Sequence, residues 1–379
     1  MADHITTDIL IAGAGAAGLT MALAAAQAGW RVAIIDPGPL SPPQSPPPSP
    51  SASGDQATSK AQATTNPADA RTTAVMASGI RMLDRLGVWP DLEPISAPLR
   101  YLELIDDSTG HPLNQRFDAG EIDQAWFAQN IPNDVLKNTL RSRLQDQDQD
   151  RITLIPNNRV TAISDRDSHL VIETETGRVE ARLLVAADGR GSACRDLLRL
   201  PVAHSAAKET ALVFNTTHHD SHGGVSFEFH GPLGVAEPDH SEQEAKQTRR
   251  RNQSHTTAQV TTIPLPGHRS AINIVGDAGA MARIADLTGA ALTDAVTAAT
   301  RHKLGAITAA EKPKAYPIKP FRARRLATDR AVLIGEAAHA LAPIGAQGLN
   351  TTLADIAVLT DLLGEPMRDD PGRAAVTNV

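Results

Sequence analysis

The chain has 379 residues, more than one small core needs and enough for two packed units. Its hydrophobic fraction of 41% is ordinary for a globular protein, and a net charge of −7 gives no reason to expect a nucleic-acid partner. A single cysteine, Cys194, excludes an intrachain disulfide framework and a cysteine-based metal cluster.

The N-terminus "MADHITTDILIAG" lacks the basic start and apolar core of a secretory signal, and no apolar run is long enough to span a membrane. The expectation is a cytoplasmic protein, with a peripheral place at the inner face of the membrane left open. "DILIA" (8–12) reads as a buried strand. Residues 16–28, rich in Ala, Leu and Met, read as a helix closed by a left-handed Gly29. "RVAIID" (31–36) reads as a second buried strand, which completes a βαβ unit.

The pattern then stops. Residues 37–67 are dominated by Pro, Ser, Ala and Thr, with little to bury, and read as a disordered insertion. "TAVMASGIRMLDRLGVW" has helical spacing at Val75, Ile80, Leu83 and Leu86. "LRYLELID" reads as a strand, and "NDVLKNTLRSRL" as an amphipathic helix with Asn133 as its cap. Strands follow at "RITLIP", "RVTAIS", "HLVIETE" and "VEARLLVAAD". Residues 209–276 alternate with period two, which predicts antiparallel strands, split by a polar loop at 237–255. A helix over 290–304, a turn at "KPFRARR" from Lys319, a strand "RAVLIG" and a helix over 350–363 end the pass.

The predicted class is α/β: a discontinuous Rossmann-like cofactor domain with an inserted, mostly antiparallel β-sheet substrate domain. The expected boundaries are 1–98, 131–200 and 325–379 for the first, and 99–130 and 201–324 for the second.

Gly13, Gly15 and Gly18 form G-A-G-A-A-G between strand and helix, with Ala16 and Ala17 inside the turn. The first glycine permits the tight turn, the second lets backbone approach a pyrophosphate, and the third lets helix pack on strand. The helix N-terminus offers the phosphates free N–H groups. Asp36 ends the second strand, where a carboxylate can accept from a ribose hydroxyl. The motif alone does not separate NAD from FAD. Two further strands end in functional-looking turns: Asp188-Gly189 in "ADGRGS", and Gly335-Glu336 in "GEAAHALAPIGAQGLN". Ligands of α/β sheets bind at such carboxyl ends.

Together these three motifs resemble those of the FAD-dependent aromatic hydroxylases typified by p-hydroxybenzoate hydroxylase. "ARTTAVMASGIRMLDRLGVW", "IPNDVLKNTL" and "PLPGHRSAINIV" add a likeness to the ubiquinone-biosynthesis branch. The resemblance covers nearly the whole chain apart from the two polar insertions. It implies a glutathione-reductase-type FAD domain, NADH or NADPH as electron donor, dioxygen as co-substrate, and hydroxylation of a polyprenylated phenol. It places Gly335 and Glu336 at the ribityl chain and nearby phosphate; the family carries Asp where this chain has Glu336. Pro343, Gly345, Gly348, Leu349 and Asn350 would wrap the flavin ring, with Gly348 in a tight turn.

By the same resemblance Asp188, Arg71 and Asn133 contact the cofactor. Read from residues alone, Asp188 and Asn133 are equally helix caps, and Arg71 a solvated arginine. No catalytic side chain stands out, because in this family the cofactor carries the chemistry. His339 reads as structural, and the histidines of "THHDSHGG" (217–224) as a solvated turn; no metal is expected. The rival readings are an FAD oxidase or reductase on the same fold, and a non-catalytic flavoprotein held in a quinone-synthesis complex.

Overall fold

The structure, a computed structural model, describes residues 3–40, 71–108, 111–146, 151–206, 208–233, 257–342 and 346–364. Nearly all of the proline-rich insertion and the whole polar loop at 237–255 lie outside the described residues.

The chain opens with β1 (Asp3–Ala12), α1 (Ala16–Gln27) and β2 (Val32–Ile35). In β1, Ile9, Leu10 and Ile11 are fully buried, because helices or strands cover both sheet faces. Residues Gly18 to Ala26 of α1 are all buried, so the helix is enclosed around its whole circumference, with the one hydroxyl, of Thr20, donating to the Ala16 carbonyl. Gly29 takes φ +96° just after it, as the sequence predicts.

Next come β3 (Thr72–Met76), α2 (Ala77–Arg85), α3 (Trp89–Leu92), β4 (Ala97–Leu99), β5 (Tyr101–Asp106), β6 (Leu113–Asp118), β7 (Ala128–Pro132) and α4 (Asn133–Asp146). The helix expected from Thr73 therefore starts only at Ala77. Residues 72–76 pair with β7, which in turn pairs with β4, in a small antiparallel sheet. Val75 is still fully buried, but as a strand residue facing the core.

The remaining elements are β8 (Ile152–Ile155), β9 (Val160–Asp165), β10 (Leu170–Thr174), β11 (Gly177–Ala186), α5 (Ala193–Leu197), β12 (Val202–His204), β13 (Glu209–His218), β14 (Val225–Pro232), β15 (Thr257–Leu265) and β16 (Arg269–Asp277). Then follow α6 (Ala278–Ala285), α7 (Gly289–Ala299), β17 (Ile307–Ala310), β18 (Lys314–Pro317), β19 (Phe321–Ala323), β20 (Ala327–Thr328), β21 (Ala331–Leu333), β22 (His339–Ala340) and α8 (Gln347–Leu362).

Two large sheets dominate. The first runs β20-β21-β11-β1-β2-β8, with β9 and β10 added beside β11. Its pairings from β21 to β8 are parallel, so β1, β2, β11 and β21 present their carboxyl ends together. The second runs β17-β13-β16-β15-β14-β5-β6, with β18 also on β13, and is antiparallel except where β5 lies parallel to β14. One face of it packs on α6 and α7 through Phe214, Phe227, Phe229, Met281 and Val296. The fold is α/β, with a parallel Rossmann-like sheet and a largely antiparallel one, as the alternation of the sequence implies. The stretch at "KPFRARR" is not a solvated turn: Phe321–Ala323 pairs with both β12 and β22.

The first residues of the proline-rich segment are packed rather than loose. Leu40 is 2% exposed and belongs to the main core, and the Gly38 N–H donates to Asp36. Leu40→Ala is therefore expected to cost about 2–4 kcal/mol in a urea melt. Replacing 41–67 by a short Gly/Ser linker is expected to change stability by less than about 1 kcal/mol, since loop length acts only through closure entropy.

Candidate functional site

Three strand ends meet at the start of α1. Gly13 has φ +103°, and a Cβ there would lie 2.4 Å from the Ala187 carbonyl oxygen. At Gly18 a Cβ would lie 1.8 Å from the Gly13 oxygen. Both positions need glycine because backbone passes where a side chain would be. Gly15 differs: its Cβ would meet nothing within 4 Å, so that turn is open on one side. The N-terminus of α1 has no side-chain cap and no acidic residue in its first turn. Gly335, φ +59°, brings the third strand end in, with its would-be Cβ 3.2 Å from Ala17 and 3.4 Å from Thr352.

Polar struts fix these turns. Asp36 accepts from the Ala14 N–H at 2.6 Å and the Gly38 N–H at 2.7 Å. Asp188 accepts from Ser192 Oγ at 2.5 Å and the Cys194 N–H at 3.0 Å, so it braces the start of α5. Arg190 Nε donates to Glu336 Oε1 at 2.9 Å, which joins the second motif to the third. Gly189, φ +83°, faces open space.

Arg195 is the residue that sequence reasoning missed. It is 7% exposed, and its guanidinium donates to the Ala337 and Arg190 carbonyls while lying over the Phe321 ring. The signal was present, since it closes the "ADGRGSACR" stretch. In sequence its evident partner is the neighbouring Asp196, 3.7 Å from Nε, so the carbonyls it spans stay hidden until the third motif folds against it.

The start of α8 corrects one expectation. Gly348 lies within the helix, not in a left-handed turn; the residue with positive φ is Ala346, at +55°. A Cβ at Gly348 would meet nothing within 4 Å. Asn350 is buried, and its side chain is committed to protein: Oδ1 accepts from the Met76 N–H, and Nδ2 donates to the Ala74 and Ala346 carbonyls. It thereby pins α8 to the free edge of β3. Leu349 packs partly against the main core. Pro343 and Gly345 lie outside the described residues. No side chain caps α8, so N–H groups of its first turn keep their donor capacity.

Arg71 and Asn133 meet at the edge of this region. The Asn133 N–H donates to the Arg71 carbonyl, and Asn133 Oδ1 accepts from Thr73 Oγ1 at 2.6 Å. The Arg71 guanidinium lies 5.7 Å from the centre of the Tyr316 ring on β18, reaching the second large sheet. His339 Nε2 lies 3.4 Å from Asp355 Oδ2 on α8.

Beside these elements a cavity of about 340 Å³ opens on the second sheet. Its lining includes Glu209, His230, Gln259, Val275, Ile318 and Ala342. Ala342 belongs to the segment between β22 and α8, so the cavity borders the third motif.

The histidines of 217–224 are not one solvated turn. His218 is 2% exposed, bonded to Ser270 Oγ and the Asp220 carbonyl, and burial holds its pKa below the ordinary 6.5. Among the described residues no group of three His, Cys, Asp or Glu side chains could hold a metal ion. No described helix is long and apolar enough to cross a membrane.

A family model described as "FAD binding domain" matches residues 60–376, and a second of the same description matches residues 8–43. The chain belongs to this FAD-binding family. Over 378 residues it is 26% identical to the ubiquinone hydroxylase UbiL of Rhodospirillum rubrum, across 99% of this chain and 76% of that protein. It is 23% identical over 359 residues to the 3-demethoxyubiquinol 3-hydroxylase of Escherichia coli, across 94% and 79%. Among solved structures, Pseudomonas aeruginosa PqsL with 2-aminobenzoylacetate has the same fold, with a TM-score of 0.72 at 18% identity over 98% of this chain and 90% of that one. An FAD complex of a Klebsiella pneumoniae HpxO variant gives 0.67 at 18% identity over 97% and 83%. The resemblance read from the motifs, to the FAD-dependent aromatic hydroxylases near the ubiquinone branch, is borne out, and the chain is an enzyme of that class.

The residues present fit FAD. Gly15, Gly189 and Gly348 all face open space, beside two helix N-termini without side-chain caps. An extended dinucleotide needs such openings and backbone donors.

Three expectations follow from these observations. His339→Ala removes one long contact to Asp355, so the reduction rate of bound flavin should stay within about tenfold of wild type, whereas loss of a general base costs about 100- to 10,000-fold. Gly348→Val, at an open helical position, should leave the melt of the apoprotein nearly unchanged yet weaken flavin binding; equilibrium titration with FAD measures this. For His218 the sign is set by burial of the neutral ring: the unfolded chain binds its proton more readily than the folded one. Stability held by that ring is complete above the ordinary 6.5 and is lost as pH falls below it. Urea melts on either side of that pH, compared with His218→Asn, should show a smaller acid loss in the variant.

Proposed function

We propose that this protein is an FAD-dependent monooxygenase that hydroxylates a polyprenylated phenol of ubiquinone biosynthesis, with NADH or NADPH as electron donor and dioxygen as oxidant. The observation that carries this reading is the set of open glycine positions, Gly15 and Gly189 in turns and Gly348 at the start of α8, together with a cavity on the antiparallel sheet. The names of the two ubiquinone-hydroxylating relatives support the substrate class. In this reading residues 1–98, 131–200 and 325–379 hold the cofactor, residues 99–130 and 201–324 hold the substrate, and the protein works in the cytoplasm or against the membrane face where polyprenylated substrates reside.

Gly13, Gly15, Ala16, Ala17 and Gly18 would hold the pyrophosphate on the N-terminus of α1. Asp36 would accept from a ribose hydroxyl; its two backbone bonds leave lone pairs on both oxygens. Asp188, Gly189, Gly335 and Glu336 would border the ribityl chain, with Arg71 and Asn133 at the margin. Residues from Pro343 to Asn350 would wrap the ring, and the first N–H groups of α8 would stabilise negative charge on its pyrimidine edge. Bound FAD supplies acceptance of reducing equivalents and activation of oxygen. The protein contributes position, exclusion of water and fixed dipoles.

The test is the absorbance spectrum of the purified, FAD-loaded chain before and after anaerobic NADH or NADPH, then product analysis under isotopically labelled dioxygen. Bleaching followed by label in a hydroxylated phenol is expected. Bleaching without label identifies an oxidase or reductase, and bound flavin that neither donor reduces identifies a non-catalytic flavoprotein. Gly15→Val should abolish flavin retention without a change in the apoprotein melt, because no protein atom lies within 4 Å of the added Cβ.

A further inference from the structure

Strand β14 alternates between two environments. Phe227 and Phe229 point to the core under α6 and α7. Glu228 and His230 point to the other face. There His230 Nε2 lies 2.7 Å from Glu228 Oε1, and Gln259 Nε2 donates to the same oxygen at 2.9 Å. Gln259 is the cross-strand partner of His230 on β15, and both line the cavity that Ala342 borders. A carboxylate only accepts, so the proton of the ring sits on Nε2 and Nδ1 is left as the basic nitrogen. Among the described residues His230 is the only imidazole in the cavity lining.

We propose that His230 is the proton acceptor for a ring hydroxyl bound in this cavity, with Glu228 orienting the imidazole and Gln259 fixing the carboxylate. The ligand class is a neutral phenol or hydroquinone. The proposal rests on the aromatic-hydroxylase reading and deepens it. The phenolic O–H bond breaks, the proton passes to Nδ1, and the electron pair stays on the oxygen and spreads into the ring. The ring becomes more electron-rich, which favours attack on an electrophilic oxygen. The imidazolium charge is balanced by Glu228 at hydrogen-bond distance, so the pair as a whole carries no net charge while the phenolate forms. A base oriented by a third group is the arrangement proton abstraction requires.

The other charged groups facing His230 among the described residues are Glu209 across the cavity, Asp106 opposite it on β5, and Asp107 paired with Arg301, whose guanidinium also reaches the His230 carbonyl. Asp106 is already satisfied by the Ser108 N–H, and Asp107 by Arg301. That leaves Glu228 as the carboxylate bonded to the imidazole. The cavity, at about 340 Å³, is within the range that holds one substituted ring.

The test uses the full-length, FAD-loaded protein and 4-nitrophenol, whose anion absorbs visible light. Difference spectra across pH report the ionisation of the bound phenol. In wild type the bound probe should ionise at lower pH than the free phenol. In His230→Gln that shift should disappear, and in Glu228→Gln it should shrink, with FAD content and the rate of flavin reduction by NADH or NADPH unchanged. Hydroxylation by His230→Gln should fall about 100-fold or more, with loss of the acidic limb of the kcat/KM profile. His230→Asn serves if the Gln variant does not fold. Equal ionisation of the bound probe in wild type and both His230 variants overturns the proposal, as does failure of wild type to bind 4-nitrophenol. If wild type then still places labelled oxygen in a phenol, the hydroxylase reading stands without His230; if wild type holds reducible FAD and places none, that reading itself fails.

Discussion

The backbone contact between Gly13 and Ala187 is the constraint on which the site depends. The Ala187 N–H donates to the Ala12 carbonyl at 2.7 Å, and the Ala187 oxygen occupies the space a side chain at residue 13 would need. This pulls the end of β11 against the end of β1 and opens the turn to α1. Gly18 then packs against Gly13, and Gly335 settles beside Ala17. Segments from the start, middle and end of the chain converge within a few side-chain widths. Side chains are excluded from the contacts between backbones and are absent where the turns face outward.

Around that contact the acidic residues brace the turns and keep acceptor capacity for a ligand. Asp36 and Asp188 read from sequence as ligands for ribose and cofactor, or as caps. Both carboxylates are already hydrogen-bonded to protein, Asp36 across the first turn and Asp188 at the start of α5. A carboxylate has about four acceptor sites, so bracing a loop and receiving a ligand hydroxyl are compatible. Bracing beforehand lowers the entropy lost when a ligand is bound. Arg195 acts in the same way with donors, its fork spanning two carbonyls from different motifs.

The βαβ unit, the strand ends and the antiparallel alternation were legible because each is a local pattern of apolar spacing and glycine. What stayed hidden was decided by distant partners. Residues 72–76 look helical, since Ala and Met are good helix formers, but their edge is claimed by β7 on one side and Asn350 on the other. Strand β6 is exposed along most of its length, so it carries no hydrophobic alternation to read. His218 sits in a run of polar residues and is nonetheless buried, because Ser270 and a backbone carbonyl satisfy both ring nitrogens. The motif places the Asn350 N–H at the cofactor by resemblance; it does not reveal that the side chain is a strut between α8 and β3.

The antiparallel sheet separates stability from chemistry by the period of its strands. Along β14, Phe227 and Phe229 anchor the core while Glu228 and His230 point to the opposite side of the sheet, where His230 lines the cavity. A change on the cavity face leaves the packing under α6 and α7 intact, so polar residues there can vary with the ligand at little risk to the fold. The parallel sheet has no such freedom, because both of its faces are buried. It offers ligands only its strand ends, where glycine turns and backbone N–H groups are open. The cavity borders Ala342, the point at which the strand-end architecture reaches the face of the second sheet. In the proposed reading a rigid cofactor cradle and an adaptable substrate wall therefore meet at one short segment, and the residues on that wall, rather than those in the cradle, would be the ones whose chemistry distinguishes one aromatic substrate from another.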